Sequence, residues 1–211
     1  MLNSLIEIVV PHRKDYVTVA QITNRNITKL PKSPPFEDYD WITALFQYKN
    51  DTVRAIIWEL KYKGVTLPLD HIGKLLFDEI LDVISDTILF DAHATFLLIP
   101  VPISNERRAE RGYNQSEYIA RSVVACDTEH TLLYAPQWFE KIRETQKQSQ
   151  TESRIERLQN LTGSFRANPQ VRDYYVVLID DVVTTGSTLS ETRKTLLDAG
   201  ARGVFAFTIA H

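Results

Sequence analysis

Residues 176–188 read VVLIDDVVTTGST. The apolar, strand-forming residues at 176–179 run straight into Asp180 and Asp181, then two valines, then a hydroxyl-rich turn around Gly186. An unbroken apolar run closed by a polar turn marks a strand buried on both faces, and such strands belong to parallel sheets covered by helices. The turn also predicts a helix start. Ser187 or Thr188 can cap a helix that carries Leu189, Leu196 and Leu197 and closes at Gly200, after which GVFAFTIAH gives a final strand.

Working outward, TFLLIPVP (95–102) is a second buried strand stopped by proline, and ITALFQY (42–48) a third. Asn50 or Asp51 can cap a helix bearing Val53, Ile56, Ile57 and Leu60 on one face, ended by Gly64. A further helix is expected over 70–85 from the stripe Ile72, Leu75, Leu76, Ile80 and Ile84. NERRAERGYNQSEYIARSVVA reads as a polar loop turning into a helix over 114–126, with Gly112 and Asn114 setting the backbone and the cap. Residues 127–144 are hard to assign beyond a strand within LLYAPQWFEKI. The polar stretch 145–162 lacks a core pattern until Leu158 and Leu161. Strands alternating with helices at this spacing predict βαβ units and a mostly parallel sheet.

Length allows one substantial domain, expected over 41–211. Residues 1–40 are expected to form a strand-rich arm with a proline-rich lead-in, LPKSPPFEDYD. A net charge of −3 argues against nucleic-acid affinity from overall charge, although a local basic patch stays open. The lone Cys126 rules out a disulfide framework or a cysteine zinc site within one chain. The start MLNSLIEIVVP carries Glu7 and no basic n-region, and no apolar run approaches the roughly 20 residues that span a bilayer, so a cytoplasmic location without membrane partner is the expectation.

At the carboxyl end of a parallel strand, loops leading to helices form ligand sites. Unpaired N–H groups at a helix start suit a phosphate. Thr184, Thr185, Ser187 and Thr188 add hydroxyls, and Gly186 permits close backbone approach. Ionised Asp180 and Asp181 only accept hydrogen bonds, so they suit vicinal hydroxyls or a cation. A ribose 5-phosphate fits both halves. Taken singly, an Asp-Asp pair or a TTGST turn also serves as an ordinary cap or solvated turn. Their succession after one strand points to a site.

With these residues in view, VVLIDDVVTTGST resembles the phosphoribosyl-pyrophosphate motif of the type I phosphoribosyltransferases. LKYKG (60–64), IPVPISNERRAERGYNQSEYIA (99–120) and the stretch from KQS to LQNLTGSF (147–165) further resemble the ComF competence family, whose members carry such a domain. The resemblance implies ribose binding by Asp180 and Asp181 and 5-phosphate binding by Thr184, Thr185, Gly186, Ser187 and Thr188. It also implies a pyrophosphate side at 104–112 with Arg107, Arg108 and Arg111, and a mobile loop at 145–162 with Lys147, Arg154 and Arg157. The same cations can instead be solvated, or paired with Glu106 and Glu110.

The implied reaction transfers phosphoribosyl to an unidentified nitrogen acceptor, with Mg²⁺ held through the substrate rather than by protein ligands. The alternative is a non-catalytic or sensor module in DNA uptake, with competence proteins and single-stranded DNA as partners. For DNA, Lys141, Arg143, Lys147, Arg154, Arg157, Arg166 and Arg172 offer charge, and Trp138 and Phe139 are either stacking groups or buried aromatics. The sequence departs from the family pattern in two places. Many relatives begin with paired cysteines resembling a zinc ribbon, absent here. Thr184 stands where purine-salvage enzymes place an acidic base, and threonine cannot act as one near neutral pH.

Overall fold

The run around Leu98 and the run around Leu178 lie side by side as parallel strands, Leu98 opposite Val177 and Ile99 opposite Leu178. The computed structural model describes residues 19, 22, 24–36, 38–64, 68–143 and 161–211. In chain order the helices are α1 (Asn24–Ile27), α2 (Asp51–Tyr62), α3 (Leu69–Phe90), α4 (Asn105–Arg111), α5 (Gln115–Val124) and α6 (Ser187–Asp198). The strands are β1 (Ile42–Phe46), β2 (Phe96–Pro100), β3 (Leu132–Tyr134), β4 (Phe139–Lys141), β5 (Phe165–Ala167), β6 (Tyr175–Val182) and β7 (Gly203–Ala210). A five-stranded sheet has the order β1-β7-β6-β2-β3, every neighbouring pair parallel. The expected parallel α/β architecture is therefore present.

The sheet is buried on both faces, which is why β2 and the start of β6 are apolar throughout rather than alternating. Phe96, Leu98, Val177, Ile179, Phe207 and Ile209 pack with Ile56, Leu60, Ile72, Leu76, Ile80, Ile119 and Val123 from α2, α3 and α5. Leu97, Ile99, Val176, Leu178, Val204 and Ala206 face the other way, onto Leu189 and Leu196 of α6 and onto Phe139 and Phe165. Each fully buried aliphatic side chain in these layers is worth about 1.5–3 kcal/mol. On the first face α3 and α5 pack so closely that a Cβ on Gly73 would stand 2.6 Å from the Ser122 backbone.

Asn50 caps α2 by accepting from the N–H groups of Thr52 and Val53 at 3.0 and 3.2 Å, and Gly64 follows with φ +62°. The helix expected over 70–85 runs on to Phe90, leaving Leu89 and Phe90 exposed at its last turn. Three local expectations are corrected. The loop read at 104–112 contains helix α4: Ser104 accepts from Arg107 N–H at 3.3 Å, Glu106 lies in the first turn, and Arg108 and Arg111 lie in the last, so both helix ends are compensated. Helix α6 is entered from Gly186 in the left-handed conformation rather than capped by Ser187 or Thr188. Residues 24–27 form a helical turn where strands were expected, and the rest of the arm before them lies almost wholly outside the described residues.

β4 and β5 form a separate antiparallel ribbon, Phe139 opposite Ala167 and Lys141 opposite Phe165. Phe139 is buried against Phe165, ring centroids 5.4 Å apart, so it is a core residue and not a stacking platform. Trp138 meets Tyr174 edge-on, and Arg166 pairs with Glu140 at 2.6 Å. Cys126 is half-buried and burial pushes its thiol up, in keeping with a packing role. Among the described residues no helix is long and apolar enough to cross a membrane.

Candidate sugar-phosphate site

The strand-end motif sits where the segments after β6, β2 and β1 gather, with His211 following β7 beside them. β6 ends by turning its backbone onto its own carboxylates: Asp181 N–H donates to Asp180 Oδ1 at 2.9 Å, and Val182 N–H to Asp181 Oδ1 at 2.8 Å. Two distant helices complete the arrangement. Ser116, in the first turn of α5, donates its hydroxyl to Asp180 Oδ1 at 3.0 Å. Lys61, in the last turn of α2, places its ammonium 3.0 Å from Asp181 Oδ2.

These two helix ends are themselves fixed by motif residues. Asn114 caps α5 by accepting from Ser116 N–H at 3.1 Å and ties it to β2 by donating to Val101 C=O at 3.0 Å. Tyr113 donates its hydroxyl to Leu60 C=O at 3.0 Å, and its ring lies against Gly64. Gly112 ends α4 with φ +81°. LKYKG and GYNQS thus converge on the aspartate pair, although neither Lys61 nor Ser116 could be assigned this role from the sequence. The only signal was their place in motifs quoted for the resemblance.

The electrostatics follow from the crowding. Burial, and then the adjacent Asp181 charge, push Asp180 up to about 7 against the opposing hydrogen bonds and Lys61. Burial alone would lower Lys61, but the attraction of Asp181, joined by Asp180, raises it above its usual value. At neutral pH the site therefore holds a cation paired with Asp181 beside a second carboxyl group, Asp180, that is poised to titrate.

Beyond the pair, Thr184 is exposed, while Gly186 and Ser187 are buried. Thr185 and Ser187 share a hydroxyl hydrogen bond at 2.9 Å. Gly186 has φ +73°, and a Cβ there would stand 2.5 Å from the Tyr39 ring, so only glycine fits. It supplies no side-chain cap to the twelve-residue α6; Ser187 N–H donates weakly to Thr185 Oγ1 at 3.5 Å, and the residues of that first turn line a cavity. The cavity is small, 60 Å³, and is lined by residues 182–189 with Asp180 and Leu161. That is the scale of a phosphate group. The cavity so brings Asp180 together with the stretch from Thr184 to Thr188, while Asp181, next in the chain, is not on its lining and is engaged by Lys61.

A second cavity of 460 Å³ shares the wall formed by Val182, Val183 and Thr184 and is otherwise lined by Pro34, Gln47, Tyr48, Lys49 and His211. A larger groove of 730 Å³ runs along β1 with Asp40, Asp78, Glu79 and Asp82 on its lining and none of the strand-end residues. Its acidic lining is unsuited to phosphate, and the site is assigned to the smaller cavity.

The arginines of the expected pyrophosphate side occupy α4. Arg108 pairs with Glu117, Arg111 lays its guanidinium 5.5 Å from the Tyr62 ring centre, and Arg107 is exposed. None is in contact with the aspartate pair in the interactions seen here. Lys147, Arg154 and Arg157 lie outside the described residues. The base of that segment is held where Glu191 of α6 accepts from Gly163 N–H at 2.8 Å.

The parallel α/β sheet ending in this acidic pair and turn agrees with the fold class expected from the sequence, an α/β fold of the type I phosphoribosyltransferase kind. No family model matches the sequence. Among curated proteins, the DNA utilization protein YhgH of Escherichia coli strain K12 is 31% identical over 179 residues, 83% of this chain and 72% of that protein. The competence protein ComFC of Streptococcus pneumoniae is 32% identical over 166 residues, 79% of this chain and 66% of that protein. The chain belongs to the ComF family, which holds these relatives. Among solved structures, phosphoribosylpyrophosphate synthetase from Mycobacterium smegmatis superposes with a TM-score of 0.36 at 18% identity, covering 64% of this chain and 33% of that one.

Proposed function

We propose that the protein binds phosphoribosyl pyrophosphate and transfers its phosphoribosyl group to a nitrogen acceptor. The observation that carries this reading is the division of one strand end into two chemistries. Asp180 and Asp181 present carboxylate oxygens suited to sugar hydroxyls, and the Thr185–Gly186–Ser187 turn opens a phosphate-sized cavity at the start of α6.

In the proposed reaction a nitrogen lone pair of the acceptor forms a bond to C1 as the C1–O bond to pyrophosphate breaks. The bonding electrons leave with pyrophosphate, and any proton on the attacking nitrogen passes to water. The 460 Å³ cavity beside residues 182–184 has room for a heterocyclic acceptor next to the sugar. Asp181 is already engaged by Lys61, which fits an ion carried mainly by substrate oxygens rather than by this carboxylate. Bound in that way, Mg²⁺ would neutralise charge on the leaving group. The protein's own part is to orient the sugar through Asp180 and Asp181 and to fix the 5-phosphate with the turn. Arg107, Arg108 and Arg111 would turn toward the pyrophosphate, and Lys147, Arg154 and Arg157 would close over it.

Calorimetry with phosphoribosyl pyrophosphate and Mg²⁺ tests the reading. Binding by the intact protein that drops at least tenfold in the Asp180→Asn, Asp181→Asn double variant is expected. No heat with the intact protein sinks it.

A second reading draws on the names of the relatives, one a DNA utilization protein and the other a competence protein. In it the protein serves DNA uptake in the cytoplasm, with competence proteins and single-stranded DNA as partners and the pocket as a sensor. Loss of transformation on gene deletion that the double aspartate variant fully complements would favour this role over catalysis.

A further inference from the structure

Lys61 is not explained by the helix that carries it. α2 buries Val53, Ile56, Ile57 and Leu60 in the core, yet the next residue directs its ammonium to Asp181 across 120 residues of sequence. Its side chain keeps 26% of its surface exposed and that of Asp181 12%, so the pair is partly reached by solvent at the carboxyl end of β6, next to Asp180 of the cavity lining. Asp180 and Asp181 are adjacent on β6 and repel each other. Among the described residues, the charged and titratable groups that face them are Lys61 from α2 and, next to Lys61, Tyr48 from the loop after β1, while Ser116 of α5 presents only a hydroxyl.

We propose that Lys61 is a positioning residue of the sugar site: it holds the Asp181 carboxylate at the strand end and supplies the positive charge that opposes protonation of the neighbouring Asp180. This rests on the sugar-phosphate reading above. The physical reason is that a hydroxyl donates to a carboxylate but meets a competing O–H when the carboxyl is protonated. Without a cation nearby, two adjoining carboxyl groups retain one proton to higher pH. Asp180 is pushed up to about 7 even with Lys61 opposing the shift, so loss of Lys61 moves the midpoint above neutrality and leaves the carboxyl largely protonated at pH 7.

The experiment uses the full chain, Lys61→Met and Lys61→Arg. In the ligand-free proteins the Asp180 carboxyl carbon is titrated by NMR, and in parallel the affinity for phosphoribosyl pyrophosphate with Mg²⁺ is measured from pH 6 to 9. In Lys61→Met the Asp180 midpoint is expected to rise by about one pH unit or more, and affinity at pH 7 to fall about tenfold, the gap narrowing toward pH 9. Lys61→Arg is expected to restore the midpoint. Ligand titration is common to all three proteins, so only the differences between them count. An unchanged midpoint, or an affinity reduced by one factor at every pH, overturns the proposal in favour of a purely structural ion pair. Absence of binding by the unaltered protein would remove the sugar-phosphate reading, while the ligand-free titration would still decide whether Lys61 sets the charge of the pair.

Discussion

Ser116 Oγ donates to Asp180 Oδ1 at 3.0 Å, joining the first turn of α5 to the end of β6. The contact links the helix that follows the arginine-bearing segment to the carboxyl group assigned to the sugar, and it is one of the forces that oppose the upward shift of Asp180.

Replacing Ser116 by Ala removes that donor from a carboxyl in a buried setting. The Asp180 midpoint is expected to move further up, and affinity for phosphoribosyl pyrophosphate at pH 7 to fall by roughly tenfold, an effect of the size of one hydrogen bond to a charged group, about 1.5–3 kcal/mol at most. Carboxyl NMR and calorimetry at pH 7 check it. A Ser116→Thr variant, which keeps the hydroxyl, is expected to lie between the two.

Asp180 also sets a slope of stability against pH. Its folded value of about 7 lies above the ordinary 3.8, so between these values the folded state holds a proton that the unfolded state has released. Stability from this group is therefore full below pH 4 and is lost as pH rises toward 7, opposite to the usual carboxylate. Thermal melts of the ligand-free protein and of Asp180→Asn between pH 5 and 8 check the sign. The variant is expected to lack this descending component.

Gly186 stands under Tyr39 with φ +73°. Gly186→Ala brings both a strained backbone and a clash with the ring, an expected loss of about 1–3 kcal/mol. Because the same residue opens the turn toward α6, phosphate affinity is expected to fall even where the protein remains folded. Tyr39→Ala combined with Gly186→Ala separates the two causes: relief of the clash restores part of the melting temperature, and the strain remains.

Gly73 shows where a core rule acts far from the site. Its missing side chain lets α3 lie against the Ser122 backbone of α5. Gly73→Ala gains about 1 kcal/mol in helix propensity, but overpacking against backbone costs about 1–3 kcal/mol or more. A melting temperature lowered by several degrees is expected. Since α5 carries Ser116, the Asp180 midpoint is expected to shift with it.

Local chemistry was readable in the chain itself. Unbroken apolar runs at 96–100 and 175–179 dictate strands buried on both faces, because no other covering leaves them without water contact. Asn50 and Asn114 act as caps, as their short carboxamides before amphipathic runs require. The aspartate pair and the turn around Gly186 could be placed at a strand end for the same reason. Helix α4 escaped notice because a seven-residue helix with no buried residue has no apolar stripe, and its stability rests on Ser104 and the end charges. The ribbon of β4 and β5 escaped because strands of three residues gain their identity from pairing across 26 positions.

What the amino-acid sequence determines by itself is thus the long elements with an apolar run or stripe and the chemical types at the strand end, since both depend on residues within a turn or two of each other. Only the tertiary structure decides that Lys61 and Ser116 join that strand end, and that Phe139 is core rather than surface. Those facts depend on helices and strands meeting over separations of 26 to 120 positions, where burial and charge pairing, not local propensity, choose the partner.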